Sequence, residues 1–390
     1  MTQWLTGQRD DPAERAHRAV AASLRAAYAW TVRRHRRDAM REVARMTGVV
    51  MEAHGPGRGP VTPLELVGCL RQRLGEMPAL AASTDETIAR AVLLDSDGDG
   101  DDRLTTDAYD LACEYALPLG EPPGSVPWMP TWTRMRADRI RGETFKALIE
   151  SRNQASYVAS RRFLIEHPAA ALSELRRLIS ETGVSLPAGG YIDIPADHVH
   201  RSPGGERWWW PCAFCRWPMA VTGTTVRCRY VPHAAVYQLA DGRTARSRPK
   251  LSRVDEGRPR RLATPVARPA DDTRCVDFGV WRFVVVPGAS ELRIMRELED
   301  LGAAVELWPD LDRYDLHVRV GEREFRIDVK EYRSAHRLIA DLRARTPAAR
   351  ILLPATHEHQ LGTLRTAMPS LQITTETKFL TEVRRARRAR

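Results

Sequence analysis

The chain has 390 residues, of which 43% are hydrophobic and 28% charged, a composition that fits a globular protein of two or three domains and excludes a disordered or fibrous one. No apolar run approaches the ~18 residues of a membrane span, and the residues after Met1 lack a basic-then-apolar secretory layout, so a cytoplasmic protein with no membrane association is expected. The formal net charge of +10 favours a polyanionic partner such as nucleic acid, through phosphate neutralisation.

Residues 1–182 read as a helical domain to which no role can be assigned. Val20, Leu24, Ala27 and Thr31 recur at helical spacing, and the pattern continues into Arg34, Arg37, Arg41 and Arg45 on an adjoining face. That basic ridge could grip nucleic acid, although a solvated helix face explains it more simply. A Gly/Pro-rich break covers 55–63. Further helices are predicted near 64–75, 84–94, 105–116, 134–165 and 170–181, interrupted by the Pro-rich stretch 118–130 and by Pro168. Asp95, Asp97, Asp99 and Gly100 resemble the opening of an EF-hand calcium loop. Position twelve is Thr106 where a bidentate Glu is required, and position eight is Asp102 where an apolar residue is usual, so an acidic loop is the better reading.

Residues 183–246 read as a small zinc-ribbon module with short strands, among them 190–194 and 236–239. Six cysteines are too few for a disulfide scaffold in a chain of this length. Cys212 and Cys215 form a C-x2-C knuckle, and after twelve residues Cys228 and His233 form C-x4-H. Three thiolates and an imidazole fill the four places of a tetrahedral ion, which predicts a structural Zn2+ rather than a catalytic one. His198 and His200 are substitutes for His233. Trp208, Trp209, Trp210 and Trp217 flank the knuckle. They either cover the metal site and dock it on a neighbouring domain or stack on unpaired bases, and the first is the plainer reading. Residues 247–272, rich in Arg and Pro and without periodicity, read as a linker.

Residues 273–390 read as an α/β domain with a mixed sheet. The predicted order is strand 280–286, a helix from Ser290 with Leu292, Met295, Leu298 and Leu301 on one stripe, strand 304–307, a hairpin, helix 334–343, strand 351–354, helix 358–367, strand 371–375 and a basic tail from Arg384. Alternation on both sides of Gly321 defines the hairpin. Asp315 stands at the head of its first strand, while Asp328 and Lys330 share a face of the second because residues i and i+2 do so. Two carboxylates and an ammonium can hold a divalent cation and steady a developing negative charge. Lys330 is one of only four lysines, with Lys146, Lys250 and Lys378, and Arg cannot replace a compact ammonium where one is needed. Glu291, just inside its helix, is the preferred third acid over Glu297, Glu306 and Asp310. Asp310 and Asp312 are substitutes for Asp315. The plain alternative is a set of surface ion pairs worth ~0–1 kcal/mol each. His317, His336, His357 and His359 have no accompanying nucleophile and belong at a surface or interface.

This element order, with Glu291 on the first helix and Asp328-Val329-Lys330 on the hairpin, resembles the PD-(D/E)xK restriction-endonuclease-like superfamily. With Val286-Pro287-Gly288, Leu307-Trp308-Pro309-Asp310 and the cysteine cluster upstream, the chain is similar to the restriction-endonuclease-like protein associated with PIWI-RE, found in bacterial defence islands that also contain a helicase. The resemblance implies Mg2+ (or Mn2+) bound by Asp315 and Asp328 with the Val329 carbonyl. Lys330 would orient the attacking water or steady the phosphate, and Glu291 would complete the metal shell directly or through water. It implies a metal-dependent endonuclease acting on nucleic acid, DNA more than RNA, in defence against phage or plasmids. PIWI-like and helicase proteins are the implied partners, and a homodimer would suit the cutting of two strands. The sequence departs from the superfamily pattern at its proline, since Pro309 precedes Asp315 by six residues. The alternative is a noncatalytic nucleic-acid-binding or adaptor subunit with a degenerate nuclease fold. A zinc-ribbon transcription regulator would leave the C-terminal domain unexplained.

Overall fold

The computed structural model describes residues 12–55, 57–81, 85–96, 101–115, 134–150, 153–186, 190–240, 248–254, 263–345, 347 and 349–388. The chain divides into two compact units, Met1–Arg136 and Ala137–Arg390.

In the first unit, α1 (Pro12–Thr31) and α2 (Ala39–His54) share a core of Val20, Leu24, Val43, Met46 and Val50. The chain turns between Thr31 and Ala39, so Arg34 and Arg37 lie in a connection instead of extending a helical ridge. The apolar stripe of α1 ends there, and folding α2 back buries it. A third helix, α3 (Pro63–Leu70), starts where Thr62 accepts a hydrogen bond from Glu65 N at 3.2 Å, with Pro63 in the first turn. The helix expected over 84–94 is a short one, Glu86–Ala89, followed by β1 (Leu94–Ser96), which pairs with β2 (Asp102–Leu104) ahead of α4 (Thr106–Tyr115). Asp102, the eighth position of the calcium-like loop, is buried and accepts from Arg71 at 2.8 and 2.9 Å, Trp30 at 2.5 Å and Ser96 at 2.9 Å. Asp97, Asp99 and Gly100 lie outside the described residues, as does 118–130.

Most of α5 (Arg134–Ile149) belongs to the second unit and is followed there by α6 (Gln154–Glu166); the two were expected as one helix. Asn153 starts α6 by accepting from Ser156 N at 3.0 Å. Next come β3 (Ala169–Ala171), α7 (Leu172–Thr182), β4 (Tyr191–Asp193), β5 (His200–Arg201), β6 (Arg207–Trp209), β7 (Ala220–Thr222), β8 (Thr225–Arg227), β9 (Val236–Leu239), β10 (Leu251–Arg253), β11 (Arg268–Pro269) and β12 (Thr273–Val276). They form three small sheets, ordered β10-β9-β8-β7, β11-β6-β5 and β3-β12-β4. Residues 247–272, expected to be a linker, therefore supply two strands. Leu251 pairs with Leu239 and Arg268 with Trp209. Strands this short carry no legible alternation.

Residues 280–286 are helical, correcting the strand expected there. Asp277 caps a turn at Phe278–Val280 by accepting from Gly279 N at 2.7 Å, and a π-helical segment, Trp281–Val285, leads into α8 (Val286–Asp300). Val280, Trp281, Val284, Val285 and Val286 are all buried. An apolar run with no solvent face shows no period that separates helix from strand.

The strands β13 (Ala304–Leu307), β14 (Leu316–Val320), β15 (Arg323–Val329), β16 (Arg350–Leu353) and β17 (Ile373–Thr375) form the expected mixed sheet in sequence order. The first two pairings are antiparallel and the last two parallel. On one face Ile351 and Leu353 pack with Leu338 and Leu342 of α9 (Ala335–Ala344) and Leu364 of α10 (Leu361–Ala367). On the other, Val318, Phe325 and Leu352 pack with Leu292 and Leu298 of α8 and with Phe379 and Val383. The last two belong to α11 (Glu376–Arg388), which takes up most of the expected basic tail. Among the described residues no helix is long and apolar enough to cross a membrane.

Candidate active site and metal centre

The hairpin register places Leu316 opposite Ile327, and Asp315 N donates to Ile327 O at 3.1 Å, so Asp315 heads β14 beside Asp328 on β15. Asp315 is buried, and one of its carboxylate oxygens accepts from Val329 N at 2.7 Å. Lys330 Nζ lies 3.3 Å from Asp328 Oδ2, as the shared strand face requires. Burial raises the pKa of Asp315, and the charge of Asp328 adds to the rise against the pull of Lys330 and Arg161. Burial alone would lower the pKa of Lys330, but Asp315 and Asp328 outweigh it and hold the ammonium charged. Three of the four expected residues thus meet at one end of the hairpin.

Glu291 stands apart from them in its bonding. It is buried on α8, where Arg161 Nη2 donates to both carboxylate oxygens, at 3.0 and 3.3 Å, and Trp308 Nε1 donates to one. Burial pushes its pKa up to about 8; Arg161 opposes the shift, and Asp315 and Asp312 reinforce it. The carboxylates of Glu291, Asp315 and Asp328 do not form a set of ligand atoms all within 4.8 Å of one another. The rival acids point elsewhere. Glu297 pairs with Arg293 at 3.0 Å, Glu306 faces His317 at 3.8 Å, and the exposed Asp310 lies 4.0 Å from Arg313. Asp312 is drawn in, bonded to Arg161. His357, placed at a surface or interface by sequence, is buried with its Nε2 3.2 Å from Tyr230 OH.

Sequence reading missed what α6 contributes. Arg161 is 3% exposed, donates to Tyr157 OH at 3.1 Å and sits 4.3 Å over the Trp308 ring. Gln154, one turn of the same face away from Tyr157, donates to Trp308 O at 2.8 Å and accepts from Leu311 N at 2.9 Å. The loop it grips is strained: Trp308, Asp310, Leu311 and Asp312 have φ of 47°, 54°, 56° and 77°. Left-handed backbone at non-glycine residues costs of order 1–3 kcal/mol each and persists where the surroundings over-determine it. A detectable signal was the polar stripe Gln154, Tyr157, Arg161 running into Leu164 and Ile165 on an otherwise buried face.

The cysteine cluster closes as the spacing implied. Cys212 and Cys215 sit in the turn after β6, Cys228 follows β8, and His233 ends a turn before β9. All four are buried, and their ligand atoms lie within 4.8 Å of one another, so the cluster could hold a metal ion. The Cys215–Cys228 sulfur separation is 3.9 Å, and His233 Nδ1 is 3.5 and 3.4 Å from the Cys212 and Cys228 sulfurs. Tetrahedral zinc, at ~2.3 Å to sulfur and ~2.0–2.1 Å to nitrogen, sets edges of about 3.8 and 3.6 Å, so the donor set fits. Trp209, Trp210 and Trp217 are buried. Trp217 stacks on Trp281 at 4.5 Å, and Trp281 Nε1 donates to Cys215 Sγ at 3.2 Å. Trp217 and Trp281 tie the cluster to the helical segment leading into α8. His198 instead bonds to Pro218 O at 2.9 Å.

Two family models match. Residues 288–390 match the family described as a REase associating with pPIWI_RE, and residues 15–171 match the pPIWI_RE three-gene island domain Y. The matches associate the chain with the pPIWI_RE island and its C-terminal part with a restriction-endonuclease-like domain. No curated protein and no solved structure matches the chain.

Proposed function

We propose that this chain is a metal-dependent endonuclease of the PD-(D/E)xK kind, hydrolysing phosphodiester bonds of nucleic acid, DNA more than RNA, within a defence island. The observation that carries the reading is the convergence of Asp315, Asp328 and Lys330 at one end of the β14–β15 hairpin. Asp315 stands across the hairpin from Asp328, and carboxylate oxygens are the donors that Mg2+ or Mn2+ takes, so the chemistry of the donor set suits such an ion. Asp315 and Asp328 would hold the ion, which when bound polarises phosphoryl oxygen and lowers the pKa of water. Lys330, kept charged by its two carboxylate neighbours, would steady the charge that builds on the phosphate. Glu291 would complete the acidic group from α8. The Cys212, Cys215, Cys228 and His233 site would hold a structural Zn2+, because protein fills all four places. The two island-family matches support action alongside partner proteins; PIWI-like and helicase proteins are the partners proposed, and a homodimer would serve the cutting of two strands.

One observation favours the second reading, a noncatalytic subunit with a nuclease-like fold. Glu291 is engaged by Arg161 and Trp308 rather than free to complete a metal shell. The two readings separate in one experiment, cleavage of plasmid and single-stranded DNA with Mg2+ or Mn2+ by wild type, Asp328→Ala and Lys330→Ala, each verified as folded. Cutting that both substitutions abolish supports the endonuclease. Equal cutting by all three removes the hairpin as the active site. No cutting, alone or with island partner proteins, favours the noncatalytic subunit.

A further inference from the structure

We propose that α6 is a positioning element of the acidic site, in which Gln154, Tyr157 and Arg161 hold the 308–312 loop and Glu291 so that Asp315 is presented beside Asp328. The proposal rests on reading Asp315 and Asp328 as a metal site and names a part of that site which lies outside the 288–390 segment.

Residues 154, 157 and 161 fall at i, i+3 and i+7, one face of the helix. Through them α6 touches Trp308, Leu311 and Asp312 of the strained loop. Gln154 takes the carbonyl of Trp308 and the amide of Leu311, doing for an irregular segment what a neighbouring strand would do for a regular one. Arg161 binds the Asp312 carboxylate, covers the Trp308 ring and reaches Glu291 behind it. Trp308 N donates to Asp315 O at 2.8 Å, so the loop passes directly into the head of β14. A shift of Trp308 is therefore a shift of Asp315.

The close approach of α6 and α8 that allows these contacts depends on Gly288. A Cβ there would lie 2.3 Å from Ile165 Cδ1. Charge also fits the assignment. Arg161 is influenced by Asp312, Glu291 and Asp315, and Asp315 in turn by Lys330 and Asp328. Arg161 is buried with Glu291, and Asp312 is half-buried beside it; a guanidinium can hold several acceptors in a fixed plane, which a lysine cannot.

A purely electrostatic role and a positioning role predict opposite signs. Removing a buried cation beside carboxylates strengthens the binding of another cation if geometry is kept, and weakens it if geometry is lost. The experiment is Mn2+ binding to the full chain, followed by electron paramagnetic resonance, for wild type, Arg161→Met, Arg161→Lys and Gln154→Ala. Asp328→Asn defines the contribution of the site. Amide hydrogen exchange is measured in parallel. Arg161→Met should weaken Mn2+ binding about tenfold, Arg161→Lys should recover part of the loss, and Gln154→Ala should weaken binding a few-fold. The amides of Asp312, Arg313 and Asp315 should exchange at least tenfold faster in Arg161→Met and Gln154→Ala, while Ile351 on β16 should not change.

Tighter or unchanged Mn2+ binding in folded Arg161→Met, with unchanged exchange at those amides, overturns the proposal. Should Arg161→Met fail to fold, Gln154→Ala, which removes no charge, decides by the same two readouts. If wild type and Asp328→Asn bind Mn2+ equally, the metal reading fails, and the exchange rates alone decide whether α6 positions the loop.

Discussion

With the proposed Zn2+ at the Cys212, Cys215, Cys228 and His233 cluster, stripping the metal should loosen the whole Ala137–Arg390 unit. The four side chains are 3%, 1%, 5% and 8% exposed, and the three cysteines belong to the same core as Trp281, Leu292 and Val318. Trp281 connects them physically, stacked on Trp217 at 4.5 Å and donating to Cys215 Sγ at 3.2 Å. A metal present at ~1,000 times its Kd stabilises the folded state by ~4.1 kcal/mol. At roughly 2–4 °C per kcal/mol for a unit of this size, complete removal should lower its Tm by about 8–16 °C. The assay is differential scanning calorimetry of the full chain with and without a zinc chelator, with elemental analysis of metal content before and after. Cys215→Ser should reproduce the chelated melt. Hydrogen exchange should show the loss of protection reaching α8, beyond the cluster itself. A protein that holds zinc, loses it to chelator and melts within 2 °C of its original temperature would refute the reasoning. So would a purified chain that contains no zinc and does not respond to added zinc.

Two further outcomes follow from packing and charge. Gly288→Ala should destabilise the same unit by about 1–3 kcal/mol, the usual cost of forcing a methyl into a filled core, because Ile165 already occupies that space; urea denaturation checks this, and an unchanged midpoint would contradict it. In Met1–Arg136, hydrogen bonds from Arg71 hold the pKa of Asp102 at about 2, below its ordinary 3.8. A depressed carboxylate stabilises above its unfolded pKa and loses that contribution as pH falls through the folded one. Asp102 should therefore stabilise this unit by ~2 kcal/mol near neutral pH, the contribution vanishing between about pH 4 and pH 2. Asp102→Asn should lower the neutral Tm and remove that part of the acid sensitivity; thermal melts across pH test it, and parallel pH curves for the two proteins would count against the assignment.

Local patterns in the sequence determined much of this protein. The C-x2-C and C-x4-H spacing was enough to bring together four side chains that could hold a metal, because a knuckle and a hairpin present donors from within short segments. Period-two alternation around Gly321 was enough to bring Asp315, Asp328 and Lys330 together, because strand register follows from which side chains must be buried. Tertiary structure decided the rest. Residues 280–286 became helix because burial on every side erases the period that distinguishes the two states. The strand Arg268–Pro269 exists only through a partner distant in sequence, Trp208–Trp209, and Leu251–Arg253 only by pairing back onto Tyr237–Leu239. Above all, the grip of Gln154 and Arg161 on the 308–312 loop joins residues about 150 positions apart. Loop strain and the ionisation of Glu291 are properties of that assembled, desolvated contact, and no local sequence pattern encodes either.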